Sequence, residues 1–327
     1  MSKYISVNDF YAAEKRALEK DISIKKAIMP RGGEIEILNK CKVFKLVKMR
    51  SPNSHKGTFG RLVCIVGSDR YKGAAQIATL AALRSGAGLV QAVTTHSCSI
   101  SLGAAVKEVM HLPLESGADG FIMASESALQ KIVEAVSSAD AVLVGCGLGN
   151  TPDTRKIVEF VIEKANCPII IDADGINALS TCIELLRKAK TDIVLTPHPG
   201  ELGKLCGVDT KEAMAKRYEL SKKLCEEFGV TVVAKSAATV ISTPDKAYLS
   251  LYGNDGLAKG GSGDLLAGLI ASFLAQGYAP DVAAKLGVVV LGIGCETVSR
   301  KTSRTGMLVS DILNCLPSLF KKIERLR

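Results

Sequence analysis

From Ser51 onward, short apolar runs alternate with longer stretches of helical spacing. Arg61–Gly67 (RLVCIVG) reads as a buried strand, and Ala74–Ser85 as an alanine-rich helix. Leu89–Thr94 predicts a strand, Glu126–Ser137 a helix and Ala139–Val144 a strand. Thr154–Ala165 is helical in pattern, and Pro168–Asp172 (PIIID) is again a strand. Asp192–Thr196, Thr231–Ala234 and Thr239–Ser242 add strands, with a helix over Lys211–Phe228 between the first two. Ala247–Leu251 alternates in polarity and is expected to pair with its neighbour as an antiparallel edge. After it the chain is mostly helical. Residues 1–45 are different: charged, helical at Phe10–Glu19, and interrupted by Pro30-Arg-Gly-Gly33.

Strands separated by helical runs imply crossover connections and an α/β fold, a mainly parallel sheet with helices on both faces. In such sheets ligands lie beyond the carboxyl ends of the strands, so the loops that follow strands are where chemistry is sought.

Composition narrows the class. Of 327 residues, 47% are hydrophobic, enough for a large core, and aromatics are only 5%, which suits α/β layers better than an all-β sandwich. The net charge of +9 resides at the ends. Residues 1–50 hold 12 basic against 6 acidic side chains, Pro317–Arg327 holds four against one, and the rest is neutral. That distribution argues against a nucleic-acid-binding face on the main domain. The ten cysteines form no CxxC pair and no Cys/His cluster, as expected for reduced thiols in a cytoplasmic protein, with Cys64, Cys146 and Cys167 read as small core residues. No apolar signal segment is visible at the N-terminus. Leu286–Cys295 is too short to span a bilayer and reads as a buried helix, so no membrane partner is expected.

Five loops carry unusual residues. Gly67–Ala75 (GSDRYKGAA) follows the first strand and could be a plain turn or an anion-binding helix start. Gly145-Cys-Gly-Leu-Gly149 allows close backbone approach to a ligand, but no GxGxxG follows the first strand, which excludes a dinucleotide-binding dehydrogenase. Asp172-Ala-Asp-Gly-Ile-Asn177 ends a strand with carboxylates. These suit Mg²⁺ or a substrate hydroxyl, and Asp174 and Asn177 equally suit helix capping. Thr196-Pro-His-Pro-Gly-Glu201 sets His198 between two prolines, which favours substrate contact over a purely structural role.

The fifth loop is Gly256–Gly268 (GLAKGGSGDLLAG), preceded by Lys235–Thr239 at another strand end. Backbone N–H groups opening a helix near Gly263 carry roughly half a positive charge and suit a phosphate. Asp264 in the same first turn is held as an anion facing whatever the phosphate faces. A cap alone needs no GGSG before it.

Together SHKGTFGRLVCIVGS, YKGAA, ALRSGAGLV, GCGLG, DADGINAL, LTPHPGE, KSAATVI and GLAKGGSGDLLAG resemble the ADP- or ATP-dependent NAD(P)H-hydrate dehydratases of the ribokinase-like superfamily, from about residue 46 to the C-terminus. The resemblance implies a three-layer α/β/α fold and a repair reaction, in which the hydroxyl of hydrated NADH or NADPH is phosphorylated and phosphate is eliminated. It implies Asp264 as catalytic base; Ala74, Gly147 or Gly149, His198 and Asp264 as substrate contacts; and Lys235, Ser236, Ala237, Ala238, Thr239, Asn254, Gly261, Ser262 and Gly263 around an adenine nucleotide. ADP or ATP is the implied co-substrate with Mg²⁺, near which Asp172, Asp174 and Glu201 are candidates, and a homo-oligomer is expected. The chain departs from the family where Ser236 stands at a usual glycine. It departs again in residues 1–45, a helical extension in place of the epimerase domain many relatives carry. Phe10–Gly33 resembles only that domain's first helix. The alternative reading is a ribokinase-like kinase that phosphorylates a hydroxymethyl vitamin precursor and stops there. A non-enzymatic nucleotide-binding or nucleic-acid-associated protein using the basic ends is a third class.

Overall fold

A computed structural model describes residues 3–20, 24 and 32–326. Its frame is one sheet of eleven strands in the order β1-β2-β11-β10-β9-β8-β7-β6-β3-β4-β5. The strands are β1 (Tyr4–Ile5), β2 (Ile35–Ile37), β3 (Arg61–Ile65), β4 (Leu89–Thr95), β5 (Met110–Leu114), β6 (Ala141–Val144), β7 (Ile169–Ile171), β8 (Ile193–Leu195), β9 (Thr231–Ala234), β10 (Thr239–Ser242) and β11 (Ala247–Ser250). The run from β9 to β5 is parallel throughout. Its strands are apolar on both sides because both faces are covered. Alternate residues go to opposite cores: Leu62, Cys64 and Leu143 to one, Val63, Ile65 and Val144 to the other.

Over the first face lie α3 (Lys72–Arg84), α4 (His96–Ala105), α11 (Ser262–Ala275), α12 (Pro280–Lys301) and α13 (Val309–Glu324). Over the second lie α1 (Val7–Glu19), α5 (Glu126–Ser137), α6 (Pro152–Lys164), α7 (Asp174–Leu179), α8 (Pro199–Cys206), α9 (Thr210–Ala215) and α10 (Arg217–Phe228), while α2 (Lys40–Phe44) packs against α12. By length and composition α12 could cross a membrane, yet 72% of its apolar window is buried inside this fold, the buried helix expected. The tight α3–α11 crossing rests on small residues: a Cβ on Gly268 would lie 2.2 Å from the Ala78 carbonyl oxygen. It sets the second turn of α3 beside the start of α11, with Ile77 against Gly261.

Three expectations change. The single helix over Lys211–Phe228 is two, broken at Lys216, whose ψ of 27° leaves the helical range. Ala247–Ser250 does pair antiparallel with β10, but it is not an edge, because β2 pairs with it in parallel and β1 closes on β2. The first 45 residues therefore contribute strands as well as helix; Pro30 and Arg31 of the expected interruption lie outside the described residues. Sequence pattern missed α4, which has no clear apolar stripe, and β5, which carries Pro113 and is tolerated as an edge strand.

The extension is fastened by α1. Arg217, 1% exposed, forms an ion pair with Glu14, donates to the Met214 carbonyl at 3.0 Å, and stacks over the Phe10 ring. The Tyr11 hydroxyl donates to Glu219 at 2.7 Å and accepts from the Tyr218 N–H at 3.0 Å.

Candidate active site

In the parallel run, β3 is flanked by β4 on one side and β6 on the other, so connections leave it in opposite directions. Such a reversal opens a crevice at the carboxyl ends. The loops there are Gly67–Tyr71 after β3 and Gly145–Gly149 after β6. The latter needs its glycines: Gly145 (φ 131°) would place a Cβ 1.8 Å from the Asp172 carbonyl oxygen, and Gly149 (φ 82°) would strike the Phe121 ring at 2.3 Å. Gly147 faces Tyr71 and Ala74, so Ala74 in the first turn of α3 lines this crevice.

Next to it, β7, β8 and β9 end side by side and deliver one polar group each. Asp172 after β7 is 1% exposed and accepts from Thr196 Oγ1 at 2.6 Å and Lys235 Nζ at 2.8 Å. Burial opposes its ionisation, but the Lys235 charge and these hydrogen bonds hold its pKa below the usual value. Burial also works against the Lys235 charge, and Asp172 and Glu201 outweigh it, so that pKa is raised. Lys235 Nζ lies 3.8 Å from Glu201, whose own pKa burial pushes up. Asp172 is followed by Ala173, whose φ of 50° is the one positive value outside glycine among the described residues. That strained turn directs Asp174 back to accept the Gly149 N–H at 2.8 Å.

Asp264 enters from α11. The helix begins after Gly261, in a left-handed conformation (φ 92°), which turns the chain so that Ser262, Gly263 and Asp264 form the first turn. Carboxylate oxygens of Asp264 and Asp172 and the Cys146 thiol lie within 4.8 Å of one another. Burial first, and the Asp172 charge second, raise the Asp264 pKa to about 6, while Cys146 and Lys235 pull it partly back. A carboxylate titrating there suits a general base near neutrality. Two features beside it suit an anion. The Ser262 hydroxyl is buried without a hydrogen-bond partner, and a Cβ on Gly263 would lie 3.4 Å from Lys235 Nζ.

The sequence candidates thus fall into distinct groups. Asp264, Gly263, Ser262, Gly261, Lys235 and Asp172 converge, with Gly147, Gly149 and Ala74 along the adjoining crevice. His198 caps its own helix, its Nδ1 accepting from Gly200 and Glu201 N–H groups, and its ring is 56% exposed. Ser236 accepts the Ala238 N–H at 3.2 Å and donates to the Ala238 carbonyl, which shapes the Lys235–Thr239 loop in place of a glycine. Ala237 is exposed on that loop, and Thr239 donates to the Ser236 carbonyl. The Asn254 side chain is engaged inward, with Gly256, Cys295 and Ser299. Cys146 is fully buried in the core, as expected, and its thiol also reaches the site, donating to Asp172 at 3.5 Å. Burial and the two carboxylates keep its thiol protonated. Its position inside the glycine loop was the available signal. Thr196 gave none beyond its place at a strand end.

The donor chemistry bears on a metal. Cys146, Asp172 and Asp264 offer two carboxylates and a soft thiol, and Asp172 already carries an ammonium group. Hard Mg²⁺ is not caged by such a set; it fits as an ion held by nucleotide phosphates with one carboxylate of the pair beside it. Asp174 and Glu201 are occupied by the Gly149 and His198 backbone N–H groups. A cavity of about 750 Å³ lined by Lys48, Arg50, Phe59 and Tyr278 lies toward the amino ends of β3 and β4, away from these groups.

A family profile described as NAD(P)H-hydrate dehydratase matches residues 62–318. The chain is 34% identical to the bifunctional NAD(P)H-hydrate repair enzyme Nnr of Moorella thermoacetica, over 84% of this chain and 52% of that one. It thus spans about half the length of such bifunctional relatives. It is 32% identical to the ADP-dependent (S)-NAD(P)H-hydrate dehydratase of Bacillus subtilis, over 84% of this chain and 94% of the other. Its fold is similar to the crystal structure of the ADP/ATP-dependent NAD(P)H-hydrate dehydratase of Bacillus subtilis co-crystallised with ATP and Mg²⁺. There the TM-score is 0.76 and the identity 29%, with 89% and 99% of the chains covered. Similarity to a hydroxyethylthiazole kinase of Pyrococcus horikoshii, at 18% identity and TM-score 0.56, extends to the fold alone.

Proposed function

Because the chain belongs to the NAD(P)H-hydrate dehydratase family, we propose that it restores hydrated NADH or NADPH by nucleotide-dependent dehydration. The observation that carries this reading is Asp264 in the first turn of α11, beside the unpartnered Ser262 hydroxyl and the Lys235 ammonium.

Asp264 accepts the proton of the hydrate's ring hydroxyl, and that oxygen attacks the terminal phosphoryl group of ADP or ATP. N–H groups opening α11, the Ser262 hydroxyl and Lys235 stabilise the charge gathering on the transferred group. Asp172 holds Lys235 in place. Mg²⁺ carried by the nucleotide would screen its phosphates. Phosphate is a far better leaving group than hydroxide, and its departure with loss of a neighbouring ring proton regenerates the dihydropyridine. Lys235–Thr239 takes the nucleotide side and the glycine loop the dinucleotide side. His198, with an exposed ring, is placed with the substrate contacts, and Asn254 supports the nucleotide side through its loop.

Residues 1–45 are assigned no epimerase activity, residues 46–327 are taken as the catalytic unit, and the protein is placed in the cytoplasm as a homo-oligomer. Ten thiols free of disulfides support the compartment. Incubation of purified protein with hydrated NADH or NADPH and ADP or ATP tests the reaction. Return of reduced-nicotinamide absorbance is expected; its absence, with phosphorylation of a vitamin-precursor alcohol instead, overturns it.

A further inference from the structure

Beyond the glycine loop the crevice ends in an aromatic surface. Tyr71, 51% exposed, and Phe121 have ring centroids 6.2 Å apart and planes 27° from parallel, and Arg70 lies 5.3 Å from the Phe121 centroid. Phe121 rests on Gly149, and Tyr71 on Gly147. These are neighbours of Cys146, which faces Asp172 and Asp264.

The surface is built rather than incidental. Phe121 sits on the compact loop Ser116–Ile122, closed by a bridge between those residues and by the Gly117 N–H donating to the Phe121 carbonyl at 2.9 Å. Asp69 pins that loop. Its carboxylate accepts from Ser116 at 3.0 Å and Thr95 at 2.6 Å, and its N–H donates to the Gly120 carbonyl at 3.0 Å. The acidic groups around it are otherwise engaged, Asp119 with the Phe121 N–H and Glu115 facing His96. Among the described residues no carboxylate pairs with Arg70.

We propose that Tyr71, Phe121 and Arg70 form the subsite for the adenosine half of the hydrated dinucleotide, the rings stacking the adenine and the guanidinium taking a phosphate. This rests on the reading above. The reacting ring belongs beside Asp264 and is partly saturated, a poor stacking partner. Adenine is flat and aromatic, and its linked phosphates supply the anion that Arg70 lacks. The nucleotide co-substrate lies on the opposite side, at Lys235–Thr239. Contacts to the adenosine half, which takes no part in the chemistry, serve binding rather than the chemical step.

The test compares Tyr71→Ala, Phe121→Leu and Arg70→Gln with the unaltered enzyme on hydrated NADH, hydrated NADPH and the hydrated reduced nicotinamide mononucleotide, which lacks adenosine. Calorimetric binding of each hydrate accompanies the kinetics. Each ring variant is expected to raise the dinucleotide KM and Kd roughly tenfold, with kcat at saturation and the mononucleotide KM kept. Arg70→Gln affecting only hydrated NADPH assigns the 2′-phosphate; affecting both dinucleotides assigns the diphosphate. Unchanged dinucleotide affinity, or an equal loss on the mononucleotide, overturns the subsite. Binding of the hydrates without turnover by the unaltered enzyme overturns the proposed reaction instead, and Kd then decides the subsite by itself.

Discussion

Lys235 donates to Asp172 at 2.8 Å across the ends of β9 and β7, strands that are not neighbours, while Thr196 from the intervening β8 donates to the same carboxylate. The pair makes two things at once. It holds a cation beside the start of α11, and it leaves a negative charge that raises the Asp264 pKa.

Asp264→Asn should abolish turnover, by about a thousandfold or more, with nucleotide binding retained. It should also stabilise the fold at alkaline pH. An aspartate whose folded pKa is raised to about 6 contributes stability below its unfolded pKa and loses it as pH rises through 6. Removing it should gain about 3 kcal/mol at pH 8 and nothing near pH 3. Denaturant melts at both pH values check this, and an equal change at both would refute it.

In the native protein kcat/KM should fall as pH drops through about 6, as Asp264 becomes protonated. Asp172→Asn removes the charge that raises that pKa and frees Lys235 to lower it further, so the acid limb should move to lower pH. The same substitution leaves a half-buried ammonium without its main partner and should cost about 3 kcal/mol. A pH–rate profile with the limb unmoved would show that Asp172 does not act on Asp264.

Two glycine substitutions should separate folding from catalysis. Gly145→Ala drives a methyl into the Asp172 carbonyl from a positive φ and should yield little soluble protein. Gly263→Ala meets nothing closer than 3.4 Å and should fold with an unchanged Tm. Its methyl would stand where a phosphate approaches Lys235, raising the nucleotide KM roughly tenfold or more. Expression yield, Tm and KM measured together decide between these outcomes.

Glu14→Gln should destabilise the protein by about 3 kcal/mol, because it leaves the Arg217 guanidinium buried without a counter-charge. Arg217→Met removes both the charge and its cost and should be milder. If the two variants melted alike, the ion pair would not be what fastens α1 to α10.

How far the sequence alone reached follows from what each signal depends on. Apolar runs and helical spacing located most strands and helices within a few residues, because burial on both faces writes itself into continuous apolar strands such as Ile169–Ile171. Glycine before Asp264 marked the start of α11 as a candidate phosphate site, since that signal is local: Gly261 must turn the chain, and the first-turn N–H groups must stay open. What the sequence could not show is which strand ends stand together. The order β4-β3-β6-β7-β8-β9 is set by packing across two cores, and only that order brings Cys146, Asp172, Thr196 and Lys235 to one point. Pairing along β11 is a property of edges rather than of pattern, so the N-terminal strands were invisible until their partner was known. Asp264 was legible as a candidate base because its signal is local. Its pKa, its cation and its fastening depend on groups far away in the chain, and only the tertiary structure decided them.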